Sequence, residues 1–341
     1  MSKPPIDVTA KGAVLLGDQV ACDGFVYGIP FRVQTHLHSD HMTGFDSSKG
    51  YQDIWMSLAT KELVTAKYDA DLPYRSNIHG LPVGQSRTIG TLTLEFLSSG
   101  HMLGAVQVAV TLADGTRVGY SSDFNWPLDE VIHVDALVLD STYGTPNRRR
   151  RYSQHTVNER FVELVRSKVK EGPVSVRAHR GTIERALSLL DGQVGCPIVA
   201  TGSLVREIEV YRRWGYGAGE VAATGSSVAE AVMAERSYLR LCSADDGDPS
   251  IERGTVITLS AYMSDPGDPV VEYSERAYRV AMSDHADFKG TLDYVHATGA
   301  KHVVTDNSRG GAGITLADEL RRRLGIDARP SVNAPTREWG A

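Results

Sequence analysis

The chain has 341 residues, of which 41% are hydrophobic and 23% charged, as in an ordinary globular protein of one or two domains. Its formal net charge of -6 excludes a protein that coats nucleic acid with its whole surface, although local basic patches such as 148–151 are present. We find no signal peptide and no apolar run long enough to span a bilayer, and the three scattered cysteines predict neither disulfides nor thiolate metal sites. We therefore expect a cytoplasmic protein with no membrane partner.

The first part of the chain is rich in predicted strands. Residues 31–35 are expected to form a strand, 57–68 a helix capped by Ser57, and 106–120 a hairpin that turns at Asp114 and Gly115. The apolar run 136–139 is typical of a strand buried on both faces. It ends at Asp140.

The pattern changes near residue 145. Thr156 and Glu159 predict the capping box of a helix that ends before Gly172 and Pro173. Strands at 174–176 and 197–200 then alternate with helices at 182–190 and 203–214, which indicates a mostly parallel sheet in a separate unit. The polar stretch 243–254 is expected to be a loop, 255–259 and 302–305 are expected strands, and a last helix is expected from Thr315 to Gly325.

Residues 35–42 read T-H-L-H-S-D-H-M and hold three of the chain's 11 histidines. His36 and His38 are two residues apart, so on an extended backbone both point to the same side and can bind one ion. Asp40 and His41 follow where the chain turns and are better placed for a second ion beside the first. Imidazole and carboxylate are zinc ligands, and paired ions can bind the oxygens of one phosphoryl group.

Two metal ions need more ligands than this cluster supplies. His101 lies in the glycine-flanked segment S-G-H-M-L-G, after the apolar run 92–97. Asp123 lies in S-S-D, at the end of the predicted hairpin, where a carboxylate could bridge both ions. The sequence therefore offers ligands from three separate segments.

In this order, H-x-H-x-D-H, S-G-H and S-S-D resemble the metallo-β-lactamase superfamily. The resemblance implies an α/β fold, the αββα sandwich of that superfamily. It also implies Zn²⁺ as the cofactor, as one or two ions, with Mn²⁺ or Mg²⁺ as alternatives. The implied ligands are His36, His38, His101 and Asp123 for one ion, and Asp40, His41 and Asp123 for the other.

Two later segments resemble the β-CASP nucleases of this superfamily, namely D-S-T-Y from Asp140 and S-D-H ending at His285. Between these segments the family carries an inserted α/β domain. The resemblance implies a metallo-β-lactamase domain in two parts, 1–145 and 266–341, around a β-CASP domain at 146–265. Asp40, Asp140 and His285 are the implied catalytic residues: Asp140 orients His285, which contacts the scissile phosphate or protonates the leaving oxygen.

The resemblance also suggests where substrate would bind. Arg177, His179 and Arg180, around the first turn of the insert, are candidates for holding the nucleic-acid backbone, and Ser141 and Ser283 for binding a 5′-phosphate. RNA-processing members carry a further metal-binding histidine after a late strand, where this chain has Asn307, so that Asn307 becomes a neighbour of the second metal. DNA cross-link repair members also lack that histidine, and the chain resembles this branch most.

We therefore predict a zinc-dependent hydrolase that acts on nucleic-acid phosphodiesters, most simply a 5′ exonuclease of DNA repair or processing. An RNA-processing nuclease of the same fold is the nearest alternative, and matched DNA and RNA strands distinguish the two. A lactam or thioester hydrolase shares the metal ligands but has little use for the insert. A catalytically inactive nucleic-acid-binding subunit would carry no bound metal.

Overall fold

The computed structural model describes residues 5–68, 70–217, 219–244, 254–260 and 268–331. The chain divides into two compact units. The first consists of 1–149 and 285–341, and the second, inserted between these two parts, of 150–284. The predicted return to the first unit at residue 266 differs from this division, because the strands Val270–Ser274 and Ala277–Val280 belong to the sheet of the second unit.

The first part of the first unit contains strands in two sheets, two α-helices and a short 3-10 helix at Leu72–Tyr74. The strands are β1 (Ile6–Val8), β2 (Val14–Leu16), β3 (Val20–Cys22), β4 (Phe31–Gln34), β5 (Asp53–Ser57), β6 (Ile78–Leu81), β7 (Gln85–Ile89), β8 (Leu92–Ser98), β9 (Val106–Thr111), β10 (Arg117–Tyr120) and β11 (Ala136–Leu139). The helices are α1 (Phe45–Tyr51) and α2 (Leu58–Lys67).

The second unit follows, and the chain then returns to the first. The second unit contains α3 (Gln154–Lys168), β12 (Val174–Ala178), α4 (Thr182–Leu190), β13 (Ile198–Ala200), α5 (Gly202–Arg213), β14 (Val221–Ala223), α6 (Ser227–Ala234), β15 (Leu239–Ser243), β16 (Thr255–Leu259), β17 (Val270–Ser274) and β18 (Ala277–Val280). The returning chain forms α7 (Phe288–Thr298), β19 (His302–Thr305), α8 (Gly313–Leu324) and β20 (Asp327–Pro330).

The first unit is a four-layer αββα sandwich. One sheet has the strand order β1-β2-β3-β4-β5-β6 and the other β20-β19-β11-β10-β9-β8-β7. Side chains from both sheets, among them Val33, Phe96 and Val138, form one buried core between the sheets. Phe288 and Leu316, from α7 and α8, pack on the outer face of the second sheet, and α1 and α2 contact β5 of the first. The predicted α/β fold class is confirmed.

The described strands of the second unit form one mostly parallel sheet, as the alternating pattern predicted. Its order is β14-β13-β15-β12-β16-β18-β17, and among the described strands only β17 at the edge runs antiparallel to its neighbour. Its core combines sheet residues such as Val176 and Leu241 with Phe161, Leu187 and Ile208 from the helices.

Local signals in the sequence located several elements well. Ser57 caps α2 by accepting a hydrogen bond from the Thr60 N–H at 3.0 Å, and β9 pairs with β10 around the turn at Asp114 and Gly115. The predicted start of α3 was wrong, since the cap is Ser153, whose Oγ accepts from the Thr156 N–H at 3.0 Å. Most of the predicted loop 243–254 lies outside the described residues.

No helix in the described part of the chain combines the length and apolar character needed to cross a membrane.

Candidate metal centre

The candidate ligands follow the C-terminal ends of strands in both sheets of the first unit. His36 and His38 come directly after β4, His101 follows β8, and Asp123 follows β10. Gly100 and Gly104 have positive φ angles of 65° and 79°, so the loop around His101 turns tightly on both sides of that residue. The fold thereby brings together side chains from three distant parts of the sequence.

Four of these side chains face one point. His38 Nδ1 lies 3.2 Å from both His36 Nε2 and His101 Nε2, and Asp123 Oδ2 lies 3.7 Å from each of the same two nitrogens. Zinc–nitrogen bonds of about 2.0–2.1 Å place tetrahedral ligands about 3.3 Å apart. Three imidazoles and a carboxylate at these separations fit a tetrahedral divalent cation.

A second group lies next to the first. His41 Nε2 is fully buried and forms no hydrogen bond with any of the described residues; it lies 3.4 Å from Asp123 Oδ1 and 3.5 Å from Asp40 Oδ2. Burial alone would lower the pKa of His41, but the Asp123 and Asp23 carboxylates raise it to about 10. A cation bound here would replace the Nε2 proton of His41, and the freed nitrogen lone pair, close to two carboxylates, would be its ligand. Asp123 can thus bridge two positions, as the resemblance implied.

The protonation states in the first group also suit metal binding. Desolvation, together with the neighbouring His41 and His38, holds the pKa of His36 well below its usual range, so its ring is neutral at pH 7. Burial would raise the pKa of Asp123, but the imidazoles of His41 and His285 bring it well below its ordinary value. Neutral imidazole and ionised carboxylate are the ligand forms of these side chains.

Asp23 supports both groups, although no strong signal in the sequence points to it. It follows β3 with a positive φ of 54°, is fully buried, and accepts hydrogen bonds from Thr35 N and Oγ1 at 2.8 and 2.7 Å. Its Oδ2 also lies 2.7 Å from His41 Nδ1. The only feature of the sequence that could have indicated Asp23 is an aspartate at the end of a short strand.

These contacts fix the tautomer of His36. Because the Thr35 hydroxyl donates to Asp23, its oxygen accepts from His36 Nδ1–H, 3.0 Å away. The Ser122 hydroxyl also donates to Thr35 Oγ1, at 2.9 Å. The His36 Nε2 lone pair therefore faces the candidate metal position, and the hydrogen bonds hold the ring in that orientation.

Two buried polar side chains of β4 form hydrogen bonds with the backbone of the histidine cluster. Arg32 Nη2 donates to the His41 carbonyl at 3.0 Å, and Gln34 Nε2 donates to the His36 carbonyl at 2.6 Å. Desolvation lowers the pKa of Arg32 to about 10, so the guanidinium still carries its charge at pH 7. Residues of strand β4 thus position the loop that follows the strand.

Asp140 and His285, predicted as a catalytic pair, lie beside this centre. His285 Nδ1 is 3.4 Å from Asp140 Oδ2, and His285 Nε2 is 3.9 Å from Asp123 Oδ2. Asp140 Oδ1 accepts from Thr142 N and Oγ1 at 2.8 and 2.7 Å, which fixes the carboxylate. The side chains of Asp40 and His285 are 55% and 20% exposed, so both are accessible from solvent.

The structure contradicts a substrate-binding role for Arg180. Its side chain is only 1% exposed, and its Nε lies 2.8 Å from Glu207 Oε2 while its Nη1 donates to Ser243 Oγ at 2.9 Å. Arg177 and His179 instead line a cavity of about 330 Å³ at the C-terminal ends of β12, β15 and β16. A cavity at the carboxyl ends of parallel strands is an ordinary place for a ligand, so these two residues stay candidates.

The 5′-phosphate candidates are corrected in part. Ser141 is buried and its hydroxyl donates to the Asp306 carbonyl, so it is not available to a phosphate. Ser283 is also buried, and its carbonyl accepts from Gln154 Nε2 at 3.4 Å. A role for Ser283 stays a prediction.

Asn307, the predicted neighbour of the second metal, is buried, and its N–H donates to Ser331 Oγ at 3.2 Å. The adjacent Asp306 is engaged by Arg309 Nη1 and by Ser308, so that carboxylate does not replace the absent histidine. The proximity of Asn307 to a second metal stays a prediction.

An αββα sandwich that gathers histidines and aspartates at its strand ends is a metal-binding fold of the metallo-β-lactamase type. Residues 29–171 match the Beta-lactamase superfamily domain. An uncharacterized protein in the lig 3′ region of Acidianus ambivalens is 30% identical over 139 residues, which are 40% of this chain and 99% of that protein. The chain belongs to the metallo-β-lactamase superfamily.

Three further relatives carry functional names. The 5′ exonuclease Apollo of Danio rerio is 29% identical over 33% of this chain, and a probable DNA ligase of Opitutus terrae is 22% identical over 86%. An RNase J-like protein of Methanocaldococcus jannaschii is 23% identical over 52% of this chain. The matches span 22%, 28% and 49% of these relatives, respectively. The similarity to named nucleases of the superfamily agrees with the predicted β-CASP resemblance.

Proposed function

We propose that the protein is a metal-dependent nuclease that hydrolyses nucleic-acid phosphodiester bonds, with DNA as the preferred substrate. The observation that carries the proposal is the convergence of His36, His38, His101 and Asp123 on one point, with the second group of His41 and Asp40 beside it. Zinc is the cation that this mixture of imidazole and carboxylate suits best.

A divalent cation bound here supplies Lewis acidity, which stabilises charge on the phosphate oxygens and lowers the pKa of a water molecule. His36, His38, His101 and Asp123 would hold one ion, and Asp40, His41 and Asp123 a second. Asp23 and Thr35 keep the imidazoles in the ligating tautomer and orientation.

His285 is placed to act on the substrate itself. Its Nε2 faces the centre, 3.9 Å from Asp123 Oδ2, while its Nδ1 faces Asp140. Asp140 stabilises the protonated ring and fixes its direction. From this position His285 can hydrogen-bond a phosphate oxygen and give a proton to the departing sugar oxygen.

Two considerations favour DNA over RNA as the substrate. By the resemblance, Asn307 falls where RNA-processing members carry a histidine, and a relative named as a probable DNA ligase aligns over 86% of this chain. The name of that relative refers to an enzyme of DNA. The similarity to Apollo favours digestion from a 5′ end, and the similarity to the RNase J-like protein keeps RNA as the second candidate.

The test is digestion of 5′- and 3′-labelled DNA and RNA, single- and double-stranded, by zinc-loaded and chelator-stripped protein. We expect cleavage that needs the metal, is faster on DNA, and releases nucleotides from the 5′ end. Asp123→Asn is the matched control: it keeps the side-chain volume but weakens binding at both positions, so both the bound metal and the activity should fall. Undiminished cleavage by the stripped protein or by Asp123→Asn would overturn the proposal.

The proposal also includes a requirement that the substrate strand carry a 5′-phosphate. Substrates with 5′-phosphate and 5′-hydroxyl ends, compared under the same conditions, test it directly. Equal turnover of both would remove the 5′-phosphate requirement while leaving the nuclease assignment in place.

A further inference from the structure

Outside the metal centre, the first unit carries an aromatic pocket formed by the β3–β4 loop and the end of α1. Its volume is about 280 Å³, and its lining is Phe25, Val26, Tyr27, Gly28, Ile29, Pro30, Tyr51 and Gln52. Tyr27 and Tyr51 are 83% and 72% exposed, although tyrosine usually buries most of its ring. Two tyrosine rings of the same pocket are thus available to a ligand.

The aromatic rings lie near one another around this pocket. The Tyr27 and Tyr51 centroids are 6.5 Å apart at an interplanar angle of 66°, and those of Phe25 and Tyr51 are 5.9 Å apart. None of the eight lining residues is charged. Such a pocket suits a flat, neutral ring system and is unsuited to a phosphate group.

The pocket also contains one polar group without a partner. Gln52 is only 3% exposed, and its Nε2 donates to the Ile29 carbonyl at 2.9 Å. Its Oε1 is buried and accepts no hydrogen bond from the described residues. A buried acceptor left unsatisfied costs about 1–3 kcal/mol. Because Oε1 has almost no accessible surface, an amino group on an entering ring reaches it only after the Gln52 amide turns toward the pocket.

Both segments that line the pocket, the β3–β4 loop and the end of α1, are close in sequence to residues of the metal centre. Phe25 comes two residues after Asp23, which contacts His41, and a Cβ on Gly44 would lie 2.7 Å from Phe25 Cβ. Helix α1 begins at Phe45, just after the histidine cluster, and its seven residues end at Tyr51. The helix is about 10 Å long.

We propose that this pocket binds one unpaired nucleobase of the substrate strand, stacked on the face of one of the rings of Tyr27 and Tyr51 and in edge contact with the other, with its exocyclic amino group donating to Gln52 Oε1 once the Gln52 amide has turned toward the pocket. The inference rests on the proposed nuclease function and adds a base-binding site to it. Stacking on aromatic side chains contributes about 1–3 kcal/mol per base and tolerates any sequence. The amino requirement favours adenine, cytosine and guanine over thymine.

The test uses phosphorothioate single strands that carry 2-aminopurine at successive positions, bound to the zinc-loaded protein. Fluorescence of 2-aminopurine falls when the base stacks. We expect quenching at one or two adjacent positions in the wild type and in the Tyr27→Phe/Tyr51→Phe variant, which keeps both rings. The Tyr27→Leu/Tyr51→Leu variant should lose the quenching and bind roughly 10- to 100-fold more weakly.

Unsubstituted purine at the quenched position tests the amino group. It stacks like 2-aminopurine but cannot donate to Gln52, so we expect binding roughly two- to tenfold weaker. Equal affinity for the two bases would remove the hydrogen bond from the proposal.

Cleavage of bis(p-nitrophenyl) phosphate, which has no base, separates this inference from the nuclease proposal. All three proteins should hydrolyse it equally. A wild type that cleaves this ester but neither DNA nor RNA would overturn the nuclease proposal. A leucine variant that quenches and binds like the phenylalanine variant would overturn the base pocket alone. The base pocket would also be overturned if light scattering showed that the leucine variant changes its oligomeric state while its quenching stays the same. The rings would then form an interface between copies of the chain.

Discussion

In the first unit, His36, His41 and Asp123 are buried with nitrogen and oxygen atoms that face one another, and within the described part of the chain His41 Nε2 has no hydrogen-bond partner. In the second unit, Arg180 and Glu207 are buried as completely, but they satisfy each other at 2.8 and 3.0 Å. The donor atoms of the first cluster suit a cation, whereas in the second the Arg180 guanidinium is itself the cation that pairs with the buried carboxylate. Buried charge thus indicates a ligand site only where the partners do not account for one another.

The largest expected effect concerns His285, at the open side of the first cluster. His285→Gln should lower kcat on nucleic acid by about 10²- to 10⁴-fold, because a positioned proton donor contributes an effect of that size. Asp140→Asn should lower it less, since His285 itself remains. Steady-state kinetics combined with metal analysis are the measurement.

Metal analysis also serves as the control for His285. His285, Asp140 and Asp123 themselves form a group whose ligand atoms lie within 4.8 Å of one another. If His285→Gln lost bound metal in parallel with its activity, His285 would be a ligand, and its assignment as a proton donor would be wrong.

The second-largest expected effect concerns Arg180, in the buried Arg180–Glu207 ion pair. Arg180→Met should destabilise the protein by about 3–5 kcal/mol, because Glu207 is left buried without its partner. The double variant Arg180→Met/Glu207→Met should regain most of that stability. Urea denaturation measures it, and activity per folded molecule should not change.

A contrary result would restore the role that the sequence suggested for this arginine. If Arg180→Met left the stability intact and raised KM for nucleic acid, Arg180 would contact substrate after all. The exposed His179, one residue earlier, provides a comparison, since His179→Ala should scarcely change the stability.

The smallest effect is a pH dependence at Glu184, which lies near the same ion pair. Burial, together with the charge of Glu207, raises the pKa of Glu184 from 4.5 to about 8. The folded state therefore holds a proton that the unfolded state releases, so the stabilisation is complete below pH 4.5 and is lost as the pH rises through 8. Between pH 6 and 9 the wild type should lose roughly 3 kcal/mol more than Glu184→Gln, which resembles the protonated acid.

Glu184→Gln keeps an oxygen that can accept from the Gly181 N–H, as Glu184 Oε2 now does at 2.6 Å. Denaturation curves for both proteins at several pH values are the measurement. Parallel loss of stability in the two proteins would show that Glu184 is ionised in the folded chain.

The sequence alone determined the parts of the protein that rest on short-range patterns. The spacing H-x-H-x-D-H identified the histidine cluster because ligands two residues apart share one side of an extended chain. The capping signal at Ser57 and the turn at Asp114 and Gly115 located α2 and the β9–β10 hairpin for similar local reasons.

Only the tertiary structure decided which of the remaining side chains serve a site. Asp23 contacts His41 from 18 positions earlier in the chain, and Asp140 meets His285 from 145 positions away. Arg180 is adjacent to a candidate substrate residue in sequence, yet its guanidinium is turned inward to Glu207. Burial and pairing depend on how distant segments pack, and a local pattern carries no information about the partner that a charged side chain will find.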